Sequence, residues 1–302
     1  MNKKLAYLIV LLLPLTLISF FFKKETNFIM PKNNLPEDKQ YVDKKNITIN
    51  LEKDNTNIDL EEYVIGVVAG EMPALFEDEA LKAQAIASRT YAINHLKNNS
   101  SISGTINDQV YLTKEEMQNK WGENYEKYYD KIKKAVETTN SLIMYYNNEP
   151  IKAYYYSMSN GYTESSLNVF NEQNDYLNIV ESPFDEDNSY DQVFQKEIFC
   201  QKLDITCNSI EISEIKKDES NRIESLTINN KKFTGIEVRK KLSLRSTDFS
   251  ILEESDIVKI TTKGYGHGVG MSQHGANNMA KQGYKYEEIL KYYYQNIEIA
   301  KL

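Results

Sequence analysis

The sequence predicts an α+β fold: antiparallel sheets with a helical layer carrying the candidate site, plus a smaller β-rich lobe, behind a single N-terminal membrane anchor. Three observations predict it. Residues 60–96 place apolar side chains at helical spacing, with one break. Residues 141–157 and 210–230 hold strand-like runs turned or closed by Asn-Asn pairs. Residues 5–22 form an apolar run near the minimum length for a membrane span.

Lys3-Lys4 and Lys23-Lys24 flank that apolar run, whose only polar members are Thr16 and Ser19. A signal peptide competes with an anchor here. The run ends in Phe20-Phe21-Phe22-Lys23, a poor cleavage pattern, which favours an uncleaved anchor over residues 1–24. Lysines at both ends leave the positive-inside rule without a preference. Similarity of the segment to a signal places the remainder outside the cytoplasm. Residues 25–45 are polar, with Pro31 and Pro36, and read as a tether. Residues 46–302 form the main domain, opening on an edge strand over 46–51, with residues 180–255 as the smaller lobe.

The chain has 36 basic and 44 acidic side chains. Without the four anchor lysines the balance is 32 against 44, or −12. So acidic a body argues against nucleic acid as a partner. The 22 tyrosines suit sugar stacking and core filling equally. Cys200 and Cys207 are either a disulfide closing a short loop or two free thiols; without nearby histidine they make no zinc site.

Within residues 60–96, Leu60, Tyr63, Val64, Val67 and Val68 mark a first helix. Gly70 and Pro73 interrupt it, because glycine suits a helix end and proline cannot continue one. Glu77, Asp78 and Glu79 open a second helix at the positive end of its dipole. Glu71 sits at the break. Shielding by Met72, Leu75 and the valines would raise its pKa, as a general acid near neutral pH requires. Lys82, Arg89 and Tyr91 on the second helix are placed to face it, Lys82 and Arg89 being two turns apart. A plain helix pair with solvated charges fits the same residues.

Beyond a polar loop over 100–107, residues 115–136 are helical in composition and include the single tryptophan, Trp121. Residues 142–146 and 151–157 read as a hairpin turned by Asn147-Asn148. Residues 157–169 are rich in hydroxyls. Ser157, Ser159, Thr163, Ser165 and Ser166 could line a groove for a polyhydroxylated ligand, with Glu164 as a second acid; a solvated loop is the other reading. Ser157 lacks the elbow pattern of a hydrolase nucleophile. Residues 194–203 form a short helix or strand pair, 210–215 and 222–228 are strands, and 234–242 is a short helix.

Residues 264–276, GYGHGVGMSQHGA, hold five glycines, which implies unusual torsions or a close approach. Their two-residue spacing fits neither a dinucleotide fingerprint nor a P-loop. His267 and His274 lack zinc-helix spacing. The stretch is expected to support a groove, with His267, Ser272 and Gln273 binding substrate. Helical runs follow over 277–282 and 286–294.

GEMP followed by EALKAQAIASRTYA, then SMSNGYTESS, then GYGHGVGMSQHGA, resemble in order the SpoIID (stage II sporulation protein D) family, membrane-anchored lytic transglycosylases of endospore-forming bacteria. Residues 238–251, VRKKLSLRSTDFSI, resemble the family's pattern before its last strand, and the resemblance spans about 45–300. It implies cleavage of the β-1,4 bond between N-acetylmuramic acid and N-acetylglucosamine without water, leaving 1,6-anhydro ends. The family's catalytic glutamate falls on Glu71. Lys82, Arg89 and Tyr91 would orient Glu71 or substrate; Ser157, Ser159, Thr163, Glu164, His267, Ser272 and Gln273 would bind glycan. Where the family often reads HSTSGG, this chain has Ser157, Met158, Ser159, Asn160 and Gly161. Some members hold zinc near that histidine; its absence here leads us to expect no metal and no cofactor. The resemblance further implies glycan strands stripped of stem peptides as substrate, with an amidase and other engulfment proteins as partners at the mother-cell membrane, facing the intermembrane space. Two rival functions are a non-catalytic wall-binding amidase enhancer and a true hydrolase with Glu71 as acid and Glu164 or another carboxylate as base.

Overall fold

The computed structural model describes residues 47–185 and 189–302. The expected anchor over 1–24 and tether over 25–45 lie outside the described residues, among which no helix is long and apolar enough to cross a membrane. The fold is mixed α+β with several small antiparallel sheets.

Strands β1 (Thr48–Leu51) and β2 (Thr56–Asp59) pair antiparallel and lead directly into α1 (Leu60–Glu71). Asp59 caps α1 by accepting from the Glu61 amide at 2.8 Å. α1 buries Leu60, Tyr63, Val64, Val67 and Val68, each side chain worth about 1.5–3 kcal/mol when fully removed from water. It does not stop at Gly70, as the sequence had implied, but runs on to Glu71 and ends at an extended Met72 before Pro73. α2 (Asp78–His95) follows and is the centre of the domain. It packs against α1, α4 (Tyr125–Thr138), β3 (Leu142–Tyr146), α8 (Gln273–Lys281) and α9 (Tyr286–Tyr293). Its alanines Ala80, Ala83, Ala85, Ala87 and Ala92 allow that many close neighbours.

The expected helix over 115–136 is two helices, α3 (Lys114–Trp121) and α4, joined by a 3₁₀ turn over Gly122–Asn124. Asn147 and Asn148 turn β3 into β4 (Glu149–Pro150) with φ of 50° and 64°, as the Asn-Asn pair predicts. The strand expected to continue to 157 breaks. Its end, β5 (Tyr155–Tyr156), instead pairs in parallel with β12 (Met271–Ser272). This pairing joins the serine-rich and glycine-rich stretches. The chain closes with β13 (Glu298–Lys301) against β3.

A second hydrophobic cluster gathers Phe199, Leu203, Ile223, Leu226, Phe233, Val238, Val258 and Ile260. After the short α5 (Ser166–Phe170), it draws on β6 (Tyr190–Gln195), α6 (Lys196–Leu203), β7 (Ile212–Lys217), β8 (Ile223–Ile228), β9 (Lys231–Thr234), α7 (Gly235–Leu242), β10 (Asp248–Glu254) and β11 (Ile257–Lys263). The sheet orders are β7-β8-β9 and β10-β11-β6. Cys200 and Cys207 are disulfide-bonded, closing the loop that follows α6.

Candidate active site around Glu71

Glu71 is the last residue of α1 and is half-buried. Its Oε1 accepts the Val110 amide proton at 2.7 Å, and its carboxylate also takes a hydrogen bond from the Tyr155 side chain. Burial pushes the Glu71 pKa up; Val110, Tyr155 and the charge of Lys120 oppose it with smaller effects. Lys120 donates to the Ala69 carbonyl at 3.0 Å, and desolvation lowers its own pKa.

Two glycines bring the 109–112 segment to Glu71. A Cβ on Gly70 would sit 2.2 Å from the Val110 carbonyl oxygen, and one on Gly66 would sit 2.1 Å from the Tyr111 ring. Being four apart, they share a face of α1 and let an extended backbone lie directly on the helix.

Tyr155 is oriented by a one-way chain of donors. Gln273 Nε2 donates to Gln84 Oε1 at 3.3 Å, Gln84 Nε2 donates to Ser88 Oγ at 3.0 Å, and Ser88 bonds the Tyr155 hydroxyl. From another side Tyr63 donates to Gln109 Oε1 at 3.0 Å, and Gln109 Nε2 donates to Tyr155 at 2.9 Å. With acceptor sites filled from both sides, the Tyr155 proton is directed to Glu71. Burial raises its pKa well above that of an ordinary phenol, so it stays protonated.

His267 supports the same residue. Its Nδ1 accepts the Val269 amide at 3.1 Å and its ring bonds the Tyr155 carbonyl. Burial, then the charges of Arg239 and Arg222, push its pKa down to about 3, so it is neutral. His267 and Gln273, expected to meet substrate, therefore hold Tyr155.

The other expected site residues divide. Lys82 pairs with Glu79 at 2.7 Å, and Glu79 accepts from the Tyr286 amide, so this pair ties α2 to α9 rather than to Glu71. Arg89 is fully buried and forks onto Glu61 at 2.8 and 2.6 Å, with a further bond to the Leu142 carbonyl. With the Val136 carbonyl as a further acceptor, four of its five N–H donors go to Glu61, Leu142 and Val136, so it is a structural clamp between α1, α4 and β3. Tyr91 donates to Asp108 Oδ1 at 3.3 Å and stacks on His95, with no hydrogen bond to Glu71.

Ser159 and Thr163 are buried, not groove-lining: Ser159 Oγ donates to the Tyr162 carbonyl and Thr163 Oγ1 to the Asn178 carbonyl. The Ser157 carbonyl accepts the His274 amide. Glu164 is buried with Ser220, Asn168 and the Ser165 amide on its oxygens, and Asp218 nearby. It shares no partner with Glu71 and is not placed as its base. Ser272 caps α8 and donates to Asp185 Oδ1 at 2.9 Å.

Asp185 was not foreseen. It gathers the Ser159 amide, Ser272 and Ser182, and burial pushes its pKa up to about 6. Tyr155, Gln109 and Lys120 were also missed. The Gly66-Gly70 spacing was the one local sign that a backbone segment would reach Glu71. Among the described residues, no group of three or more His, Cys, Asp or Glu is placed to hold a metal ion.

The fold and site together define a class: an α+β domain in which one shielded carboxylate, at a helix end, is braced by a backbone amide and a tyrosine. The chain belongs to the SpoIID family. The family model described as "Stage II sporulation protein" matches residues 51–146. Stage II sporulation protein D of Bacillus subtilis (strain 168) is 42% identical over 257 residues, covering 81% of this chain and 75% of that protein. Its counterpart in Bacillus amyloliquefaciens is 41% identical over the same shares. An amidase enhancer of Bacillus subtilis is 29% identical over 288 residues, 76% of this chain and 39% of that protein.

Proposed function

We propose that this chain is a peptidoglycan lytic transglycosylase acting in sporulation, with Glu71 as its single acid and base. The observation that carries the reading is Glu71 itself: half-buried, with a raised pKa, and braced by two donors that stabilise its ionised form. A general acid needs the first property, and a carboxylate that must then act as base needs the second.

In the first half-reaction Glu71 protonates the glycosidic oxygen, and the C1–O bond of N-acetylmuramic acid breaks. The Val110 amide and the Tyr155 hydroxyl hold the resulting carboxylate. In the second, Glu71 takes the proton of the sugar's own C6 hydroxyl, whose oxygen bonds C1 and closes the 1,6-anhydro ring. Both reacting atoms lie in one sugar, so effective concentration replaces an external nucleophile. The engagement of Glu164 with Ser220 and Asn168 supports a one-carboxylate mechanism over hydrolysis by an acid–base pair.

The substrate in this reading is glycan stripped of stem peptides. The protein works from an N-terminal anchor outside the cytoplasm, beside an amidase and other engulfment proteins. A second reading, a non-catalytic amidase enhancer, draws on the similarity to the protein of that name.

Mass spectrometry of denuded glycan strands after incubation tests the proposal. Anhydro ends that vanish with Glu71→Gln are expected. Reducing ends would mean hydrolysis, and no products would favour the enhancer.

A further inference from the structure

Three of the chain's four arginines, Arg222, Arg239 and Arg245, gather beside the glycine-rich loop. Strand register brings part of this about. Asp248 of β10 faces Lys263 of β11, and Thr262 of β11 faces Tyr190 of β6. Arg245 just before β10, Tyr265 just after β11 and Tyr190 at the start of β6 therefore meet at one end of the sheet. The Arg245 Cζ lies 3.5 Å from the Tyr190 ring centroid and 5.3 Å from that of Tyr265. The Gly266 amide donates to the Arg245 carbonyl at 2.9 Å and ties the loop to it. Both rings are open to solvent, Tyr190 at 40% and Tyr265 at 48%. Behind them Arg222 is buried flat on Gly268, where a Cβ would meet its guanidinium at 2.7 Å. Its side chain donates to the Tyr162 carbonyl at 3.2 Å, and its Nε has no hydrogen-bond partner. Arg239 donates through Nε to the Leu244 carbonyl at 3.3 Å; burial and the charge of Arg222 lower its pKa, and Tyr265 raises it.

We propose that Tyr190, Arg245 and Tyr265 form a docking surface for an acidic segment of a partner protein, with Arg245 taking one of its carboxylates. Among the described residues the three guanidinium groups meet backbone carbonyls and tyrosine rings and form no ion pair with a carboxylate. Neighbouring cations left unpaired are costly, and an anion brought to their open end offsets that cost. Tyr190 holds the Arg245 plane in one orientation, which suits a carboxylate met edge-on by two parallel N–H groups. An arginine between two exposed tyrosines also has the composition of a protein-interface hot spot. Charge complementarity favours the same partner. After residue 24 the chain carries 32 basic against 44 acidic side chains, so an acidic segment is repelled by most of the body and steered to a local cluster of arginines. The inference goes beyond the assignment of Glu71 and does not rest on it.

The test uses the full chain and an end-capped, fluorescein-labelled peptide of alternating Glu and Gly, with its Gln-Gly counterpart as control. Fluorescence anisotropy reads the binding. The parent is expected to bind the Glu peptide and not the Gln peptide. Arg245→Gln should weaken that binding about tenfold or more, the loss of a charge-assisted hydrogen-bonded pair. Arg245→Lys keeps the charge but loses the planar fork and the stack, and should weaken it about threefold or more. The lysine variant decides the matter if the glutamine variant does not fold. Equal binding of the two peptides, or parent-like affinity in a folded Arg245 variant, would overturn the surface. Denuded glycan strands and phosphatidylglycerol vesicles are run beside the peptides. If Arg245→Gln loses either of these while the peptide binds as before, the surface belongs to sugar or lipid and the proposal fails. Glu71 takes no part in the readout, so a chain that forms no anhydro ends would sink the catalytic reading and leave this result standing.

Discussion

The Val110 amide donates to Oε1 of Glu71 at 2.7 Å across 39 positions of sequence, and it does so only because Gly70 has no side chain. A methyl group there would lie 2.2 Å from the Val110 carbonyl oxygen. Gly70→Ala should therefore destabilise the domain by about 1–3 kcal/mol despite the better helix propensity of alanine. Urea unfolding measures it; an unchanged or raised midpoint would contradict the close approach.

Removing the other donor to Glu71 has a signed pH effect. Tyr155 lowers the Glu71 pKa, so Tyr155→Phe should let it rise further. The acid must be protonated at the start of the reaction, so activity falls as pH rises through that pKa. In the variant the fall should move to higher pH, with kcat down about tenfold because the carboxylate form loses a hydrogen bond. Lys120→Met should move the fall in the same direction. A pH–rate profile on denuded strands decides, and a fall displaced to lower pH would refute the assignment.

Arg89 and Lys82 should part company on mutation. Arg89→Ala removes a fully buried guanidinium from Glu61 and from the Leu142 carbonyl, and should destabilise by about 3 kcal/mol or more. Lys82→Ala breaks a partly exposed pair and should stay within about 1 kcal/mol. Thermal unfolding of the two variants is the measurement; equal losses would show that Arg89 is not the clamp described.

Asp185 sets a pH dependence of stability. Unfolded, it titrates near 3.8; folded, near about 6. The folded state holds the proton more tightly, so this contribution is fully present below about pH 4 and is lost as pH rises through about 6. The change is up to about 3 kcal/mol. Asp185→Asn should flatten that slope, as read from unfolding free energies at about pH 4 and pH 7. A slope identical to that of the parent would exclude Asp185 as its source.

Much of the local structure was legible beforehand. Helical spacing located α1, α2, α7 and α9 to within a few residues, since side-chain periodicity is a local property. The Asn-Asn pairs located both turns, because asparagine tolerates positive φ. The expected second strand over 151–157 failed where Tyr155-Tyr156 found a partner in Met271-Ser272, which no local pattern announces.

Local sequence was enough to place α1, α2, α7 and α9, to stand a carboxylate where α1 meets Pro73, and to identify the family. The surroundings of that carboxylate came from long-range packing. Arg89 went to Glu61, Lys82 to Glu79, and the hydrogen bond to Glu71 to Tyr155. Gln273 reached Gln84 across 189 positions. A side chain's spacing along a helix gives the face it lies on. Its partner depends on which distant segment packs there, and that follows from burial of the whole core.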